Sequence, residues 1–283
     1  MSQRVLIINA DDFGLTAGIC RAVVRAASDG VVSSTSALVT GPAFADHVGA
    51  LADAGIGVGA HLAAVGHQPP LLAATEIPSL VDRRGRLAPD WRTFLRRYAL
   101  GRIDSRDLTR EFGAQVAKLR DAGISPTHVD THQNLHLWPG VARVVVAIAQ
   151  DHQVPAIRVT RSAGRAPVAL VVRALAPRLA RRATNAGLAF PAASVGLDEA
   201  GRLDRRRLEA ALVRLAAADA PTAEVACHPG EADDAELVGL GWGYHWAEEL
   251  DALTAPEIRA TIERGGFRLG SYRDLVTASV PVA

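Results

Sequence analysis

The chain has 283 residues, 49% of them hydrophobic and 22% charged, which supplies a sizeable core and excludes a disordered polymer. With 31 basic against 30 acidic residues the net charge is +1, so the chain as a whole is not built to coat nucleic acid. Two cysteines, Cys20 and Cys227, exclude a disulfide framework and a cysteine-rich zinc module.

The first eight residues, ending Val5-Leu6-Ile7-Ile8, meet Asp11-Asp12 too soon for a signal-peptide core, which predicts a cytoplasmic protein. Strand and helix signals then alternate. Val5 to Asn9 reads as a strand and Ala17 to Ser28 as a helix with Ile19, Cys20, Val23, Val24 and Ala27 at helical spacing. Thr35 to Thr40 is a second strand, Phe44 to Ala54 a second helix, and Ile56 to Leu62 a third strand ending near His61. The segment at about 69–101 is an insertion, with four prolines and the aromatics Trp91, Phe94 and Tyr98; its length predicts a lid or substrate loop. Ser105 caps a helix through Leu119, Thr127 to His132 is a strand, and Pro139 opens a helix through Ile148. Ile157 to Thr160 is a strand. An Ala- and Arg-rich stretch follows, inside a second expected insertion at about 162–202. A helix from near Leu203, a strand from Glu224 to Cys227, and a helix from Pro256 to Arg264 complete the pattern. Repeated strand–helix units without a linker predict a single-domain α/β fold, a distorted TIM-like (β/α) barrel. The alternative, an open doubly wound sheet, lacks a Gly-rich fingerprint after the first strand.

Four polar clusters sit at predicted strand ends: Asp11-Asp12, His61, His128 to His132, and His228. In a parallel barrel these ends meet at one face. Adjacent carboxylates repel, and a bound cation relieves this if one is a ligand and the other a free base; a helix cap plus a turn is the plainer reading. On a strand, His128, Asp130 and His132 share one face, and one carboxylate with two imidazoles makes an open metal site. The turn Pro229-Gly230 would project His228 as ligand, acid or turn residue, whereas Cys227 points the other way into the core.

Asn9-Ala10-Asp11-Asp12-Phe13-Gly14-Leu15-Thr16, Gly59-Ala60-His61-Leu62, Thr127-His128-Val129-Asp130-Thr131-His132 and Cys227-His228-Pro229 resemble, in this order, the motifs of the YdjC-like carbohydrate deacetylases. That family includes chitooligosaccharide and hopanoid-associated deacetylases. The closing Arg268 to Asp274 is similar to its C-terminal strand. The resemblance implies a divalent metal, Mg²⁺ or Zn²⁺, held by Asp12, His61 and His132. It implies Asp11 as general base, His228 as acid, and His128 and Asp130 as contacts to the ligands or the substrate. The implied reaction removes an N-acetyl group from an amino sugar. Family members often carry a further histidine where this chain has Gln133-Asn134.

Trp138, Trp242, Tyr244 and Trp246 read either as sugar platforms or as loop anchors, and Trp91 as packing for the insertion. Arg158 reaches the mouth or is ion-paired. The basic run Arg161, Arg165, Arg173, Arg178, Arg181 and Arg182 reads as a solvated helix, or as a patch for an anionic or lipid-linked glycan at a membrane surface. A metal hydrolase acting on another amide, an ester or a phosphoester, and a non-catalytic glycan-binding module, are the competing functions. No nucleic-acid reader motif is present, and a homodimer is left open.

Overall fold

The computed structural model describes residues 4–66 and 68–277. The first three residues of the segment read against a signal peptide lie outside these. The elements run β1 (Arg4–Phe13), α1 (Ala17–Ser28), β2 (Ser34–Ala37), α2 (Phe44–His47), α3 (Ala50–Asp53), β3 (Gly57–Leu62), α4 (Trp91–Ala99), α5 (Ser105–Asp121) and β4 (Val129–Thr131). An irregular 3-10 turn (His132–Leu137) precedes α6 (Pro139–Asp151), α7 (Pro167–Asn185), β5 (Ala193–Val195), α8 (Arg205–Ala217) and β6 (Thr222–Cys227). The chain closes with α9 (Ala235–Gly239), α10 (Trp246–Thr254), α11 (Pro256–Arg264), β7 (Phe267–Leu269) and α12 (Tyr272–Thr277).

The strands form one parallel sheet in the order β4-β3-β2-β1-β6-β5, and β7 lies beside the first half of β1. Single bridges, Val129 to Ile157 and Ala156 to Ala189, span the gap between β4 and β5. The sheet is therefore curled into a distorted barrel, not laid open as a doubly wound sheet. The expected strand at 157–160 is reduced to such a bridge. The segment at about 162–202, expected as an insertion, holds α7 and β5, a helix and a strand of the barrel itself.

Period-two alternation sorts the strands into two faces. Leu6, Ile8 and Ala10 of β1 face the helices and join the main core, each large one contributing about 1.5–3 kcal/mol by burial. Val5 and Ile7 point inward and pack with Ala156, Tyr272 and Leu275, so α12 plugs the bottom of the barrel. Above this plug the interior turns polar: Asn9, Ser36, His128, Asp130, Arg158 and Glu224 are all buried. Three of the outer helices start on side-chain caps, Thr16 for α1, Asp90 for α4 and Asp204 for α8, whereas α6, α7 and α11 start on a proline. Asp104, not the expected Ser105, caps α5. The single helix expected over 44–54 is two short ones that meet at Gly49.

The 69–101 segment is pinned by buried acids of α5. Glu111 accepts from the Leu71 and Leu72 N–H groups at 2.9 and 3.1 Å, and Asp107 from Ser79 N at 2.8 Å. Among the described residues no helix is long and apolar enough to cross a membrane.

Gly59 faces inward beside His128, and a Cβ added there would lie 2.2 Å from the ring's Cε1. The substitution Gly59→Ala overpacks a fixed layer and is expected to destabilise by about 1–3 kcal/mol. Urea unfolding would register this as a lower midpoint at unchanged slope; an unchanged midpoint would contradict the packing described.

Candidate active site

Adjacent strand residues normally face opposite ways, yet Asp11 and Asp12 line one cavity. The cause is a bulge. The register of β1 against β2 slips between Ala10 and Phe13, and Asp12 sits at φ 64°, in the left-handed region. Gln133 and Asn134, both at φ 54°, line the same cavity. So three of the five non-glycine residues with positive φ, among those described, cluster at one place. Such strain persists where the surroundings over-determine it, and it marks functional sites.

The cavity has a volume of about 510 Å³ and opens at the C-terminal ends of the strands. At its floor Asp12, His61 and His132 offer ligand atoms within 4.8 Å of one another, all buried. Asp12 Oδ1 lies 2.9 Å from His132 Nδ1 and 3.3 Å from His61 Nε2. The other nitrogen of His61, Nδ1, lies 2.8 Å from Asp130 Oδ1, the arrangement by which a carboxylate orients a ligand imidazole. His132 Nε2 is buried with no hydrogen-bond partner. Burial opposes the charge on Asp12, but His132 and His61 hold its carboxyl well below the usual range. Burial would likewise strip His61 of its proton, yet Asp130 and Asp12 raise its pKa to about 10. The field that holds a proton there suits a divalent cation equally, and these residues fit one.

Asp11, His61 and Asp130 form a second trio of close donor atoms. It is the poorer cation site, because an arginine already occupies it. Arg158, 2% exposed, gives both terminal nitrogens to Asp11 at 2.7 Å each, one of them to Asp130 at 2.5 Å, and its Nε to Glu224 at 2.9 Å. Burial works against the guanidinium's charge, but Asp11, Asp130 and Glu224 more than restore it. Burial pushes the Glu224 carboxyl up. Asp11 is thus not the unpaired carboxylate the sequence suggests: it is clamped by Arg158 and also accepts from Asn9 Nδ2 at 2.8 Å.

His228 projects into the cavity with Nε2 at 3.9 Å from Asp11 Oδ2, too long for a hydrogen bond. Its backbone N–H is held by the buried Glu249 at 2.6 Å, which also accepts from Leu203 N. Cys227 is buried in the core, as expected. Asp130 and His128 lie below the cavity. His128 stacks on Tyr272 at 3.7 Å, contacts Ser36 and Thr127, and burial lowers its pKa to about 3, so it is a neutral packing group remote from the mouth.

Trp138 does not line the cavity; it precedes α6 and packs half-buried on the core. Trp91, expected only to pack the insertion, does line it, together with Pro89, Asp90 and Arg92. Gln133 Oε1 accepts from Trp91 N at 2.8 Å and so ties the insertion to the His132 turn. Trp242, 5.6 Å from the His132 ring, and Tyr244, 5.1 Å from the His228 ring, line the cavity as well. Sequence reasoning missed Glu224 and Glu249. Period two from His228 would have put Glu224 inward; nothing local marks Glu249.

Arg158→Met would leave three buried carboxylates facing one another. The expected loss is about 3–5 kcal/mol at pH 7, because an uncompensated buried charge costs that much. The carboxyl pKa values would then rise, so the loss shrinks as pH falls and the groups take up protons. Urea unfolding at pH 7 and pH 5 measures both; a loss that does not shrink at pH 5 would contradict the ionic account.

The model of the YdjC-like protein family matches residues 5–264. A chitooligosaccharide deacetylase from Serratia marcescens is 35% identical over 280 residues, covering 96% of this chain and 100% of its own. A carbohydrate deacetylase from Geobacillus stearothermophilus is 31% identical, covering 96% and 98%. A crystal structure from Enterococcus faecalis V583, provisionally described as a cellobiose-phosphate cleavage protein, superposes with a TM-score of 0.81 at 25% identity, over 97% of this chain and 99% of that one. With a family model matched from the first strand to the last long helix, the chain belongs to the YdjC-like protein family.

Proposed function

We propose that this protein is a metal-dependent carbohydrate deacetylase that hydrolyses the N-acetyl group of an amino sugar. The observation that carries this reading is the trio Asp12, His61 and His132, within 4.8 Å of one another at the floor of a cavity that also holds Asp11 and His228. The names of the relatives, chitooligosaccharide and carbohydrate deacetylase, support it.

Asp12, His61 and His132 would hold the ion. Two imidazoles and one carboxylate suit Zn²⁺ better than Mg²⁺, which takes oxygen ligands. When bound, the ion supplies Lewis acidity toward the acyl oxygen and toward water. Asp11, its two oxygens fixed by Arg158, takes a proton from the attacking water. The water oxygen adds to the acetyl carbon, and the C–N bond then breaks. His228 gives its proton to the departing nitrogen, so the products are acetate and a free amine. The separation of 3.9 Å between His228 and Asp11 leaves His228 Nε2 free to face the substrate. Trp91 and Trp242, both lining the cavity, offer ring faces for the sugar's C–H bonds.

Titration with Zn²⁺ is expected to give one site per chain, lost in Asp12→Ala and His132→Ala. Asp11→Asn is expected to keep the metal but to lower acetate release from N-acetylated oligosaccharides by about 10²–10⁴-fold. Full activity of Asp11→Asn, or undiminished metal binding by both ligand variants, would contradict these roles. Release of O-acetyl but not N-acetyl groups would redirect the reading to an esterase.

A further inference from the structure

The basic stretch from the sequence folds as α7, and its outward face is unlike the rest of the surface. Residues 152–197 contain no Asp or Glu. Arg165, Arg173, Arg178, Arg181 and Arg182 have no carboxylate partner among the described residues, and Arg178 bonds only the Ala174 carbonyl. Five large hydrophobic residues are notably exposed among those described, and Val168, Leu170 and Val171 are three of them. At 100° per residue, Leu170, Val171, Arg178 and Arg181 fall within about 100° of the helix surface, opposite the buried Val172, Leu179 and Ala183. Arg178, Arg181 and Arg182 also line one groove with Gln150 and Asn185.

The position of this face is set by the cavity. Thr160 lines the cavity, and the chain leaves it through Ser162, Ala163 and Gly164. Asp198 staples these three residues to its own loop: Ser162 Oγ donates to Asp198, as do Ala163 N at 2.8 Å and Gly164 N at 3.0 Å. The neighbouring Gly196, Leu197 and Ala200 line the cavity. The apolar first turns of α7 therefore begin at the rim, and the arginines run away from it.

We infer that α7 is a peripheral docking face for an anionic phospholipid surface, seating the cavity rim against the bilayer. Leu170 and Val171 enter the interfacial layer, while Arg178 and Arg181, flanked by Arg173 and Arg182, meet lipid phosphates. Charge complementarity selects this occupant: a face with unpaired guanidinium groups, no acid and an apolar strip matches a surface that is both negative and oily. A soluble polyanion offers no partner for the apolar strip. The inference requires nothing of the deacetylation reaction.

The test is co-flotation of the full chain with vesicles of phosphatidylcholine alone or mixed with phosphatidylglycerol, at low and at physiological salt. Retention is expected on the anionic vesicles only, weakening as salt rises. Neutralising an arginine is expected to cost about fivefold in partitioning, so Arg173→Gln, Arg178→Gln and Arg181→Gln together cost on the order of 100-fold. Leu170→Asp with Val171→Asp is expected to weaken retention at an unchanged thermal midpoint, since both side chains are exposed. No retention at low salt, equal retention on neutral vesicles, or either variant binding like the wild type overturns the proposal. So does equally tight binding to heparin, which would make the face a general polyanion patch.

Discussion

A left-handed backbone at Asp12 is the constraint on which the site depends. Without the slip in β1, one of the two consecutive carboxylates would point into the helix layer, where a charge has no partner. The bulge turns both into one cavity and creates a problem of repulsion. The fold solves it by treating the two acids differently. Arg158 neutralises Asp11 through two parallel hydrogen bonds, and Asp12 is left facing two imidazoles. One carboxylate is thereby a fixed group beside the cavity, and the other is one of three close donor residues that fit a cation.

The interior is graded along the barrel axis. Val5, Ile7, Tyr272 and Leu275 close the bottom, Glu224 stands in register with Ile7 and reaches up to Arg158, and His128 and Ser36 are hydrogen-bonded to each other beside them. Burying Asp11, Asp12, Asp130, Glu224 and Arg158 is tolerable because each has a partner of opposite sign. What remains open is the mouth, lined by Trp91, Trp242 and Tyr244.

Much of this was legible in the sequence because strand periodicity is local. The spacing of His128, Asp130 and His132 placed them on one face, and the structure keeps all three inward at successive depths. That depth decides their fates: His128 lies too low to meet a ligand, and the spacing alone carries no such information. Asp11, Asp12, His61 and His228 were legible as strand-end residues. Arg158 was legible as a residue that reaches the mouth or is ion-paired, but its partners were not, because its strand is a single bridge and its three acids come from positions 11, 130 and 224. Trp91 reached the cavity through a hydrogen bond to Gln133, a contact between segments 42 residues apart with no local signature. The left-handed pair Gln133-Asn134 contains no glycine to announce it.

The central claim is that Asp12, His61 and His132, and not the arginine-occupied trio beside them, form the cation site. Anomalous diffraction at the zinc edge from crystals grown with Zn²⁺ tests it directly. The account predicts one peak, about 2.0–2.2 Å from a donor atom of each of the three residues. A peak between Asp11 and Asp130, with Arg158 displaced, or no peak in this cavity at all, would contradict it.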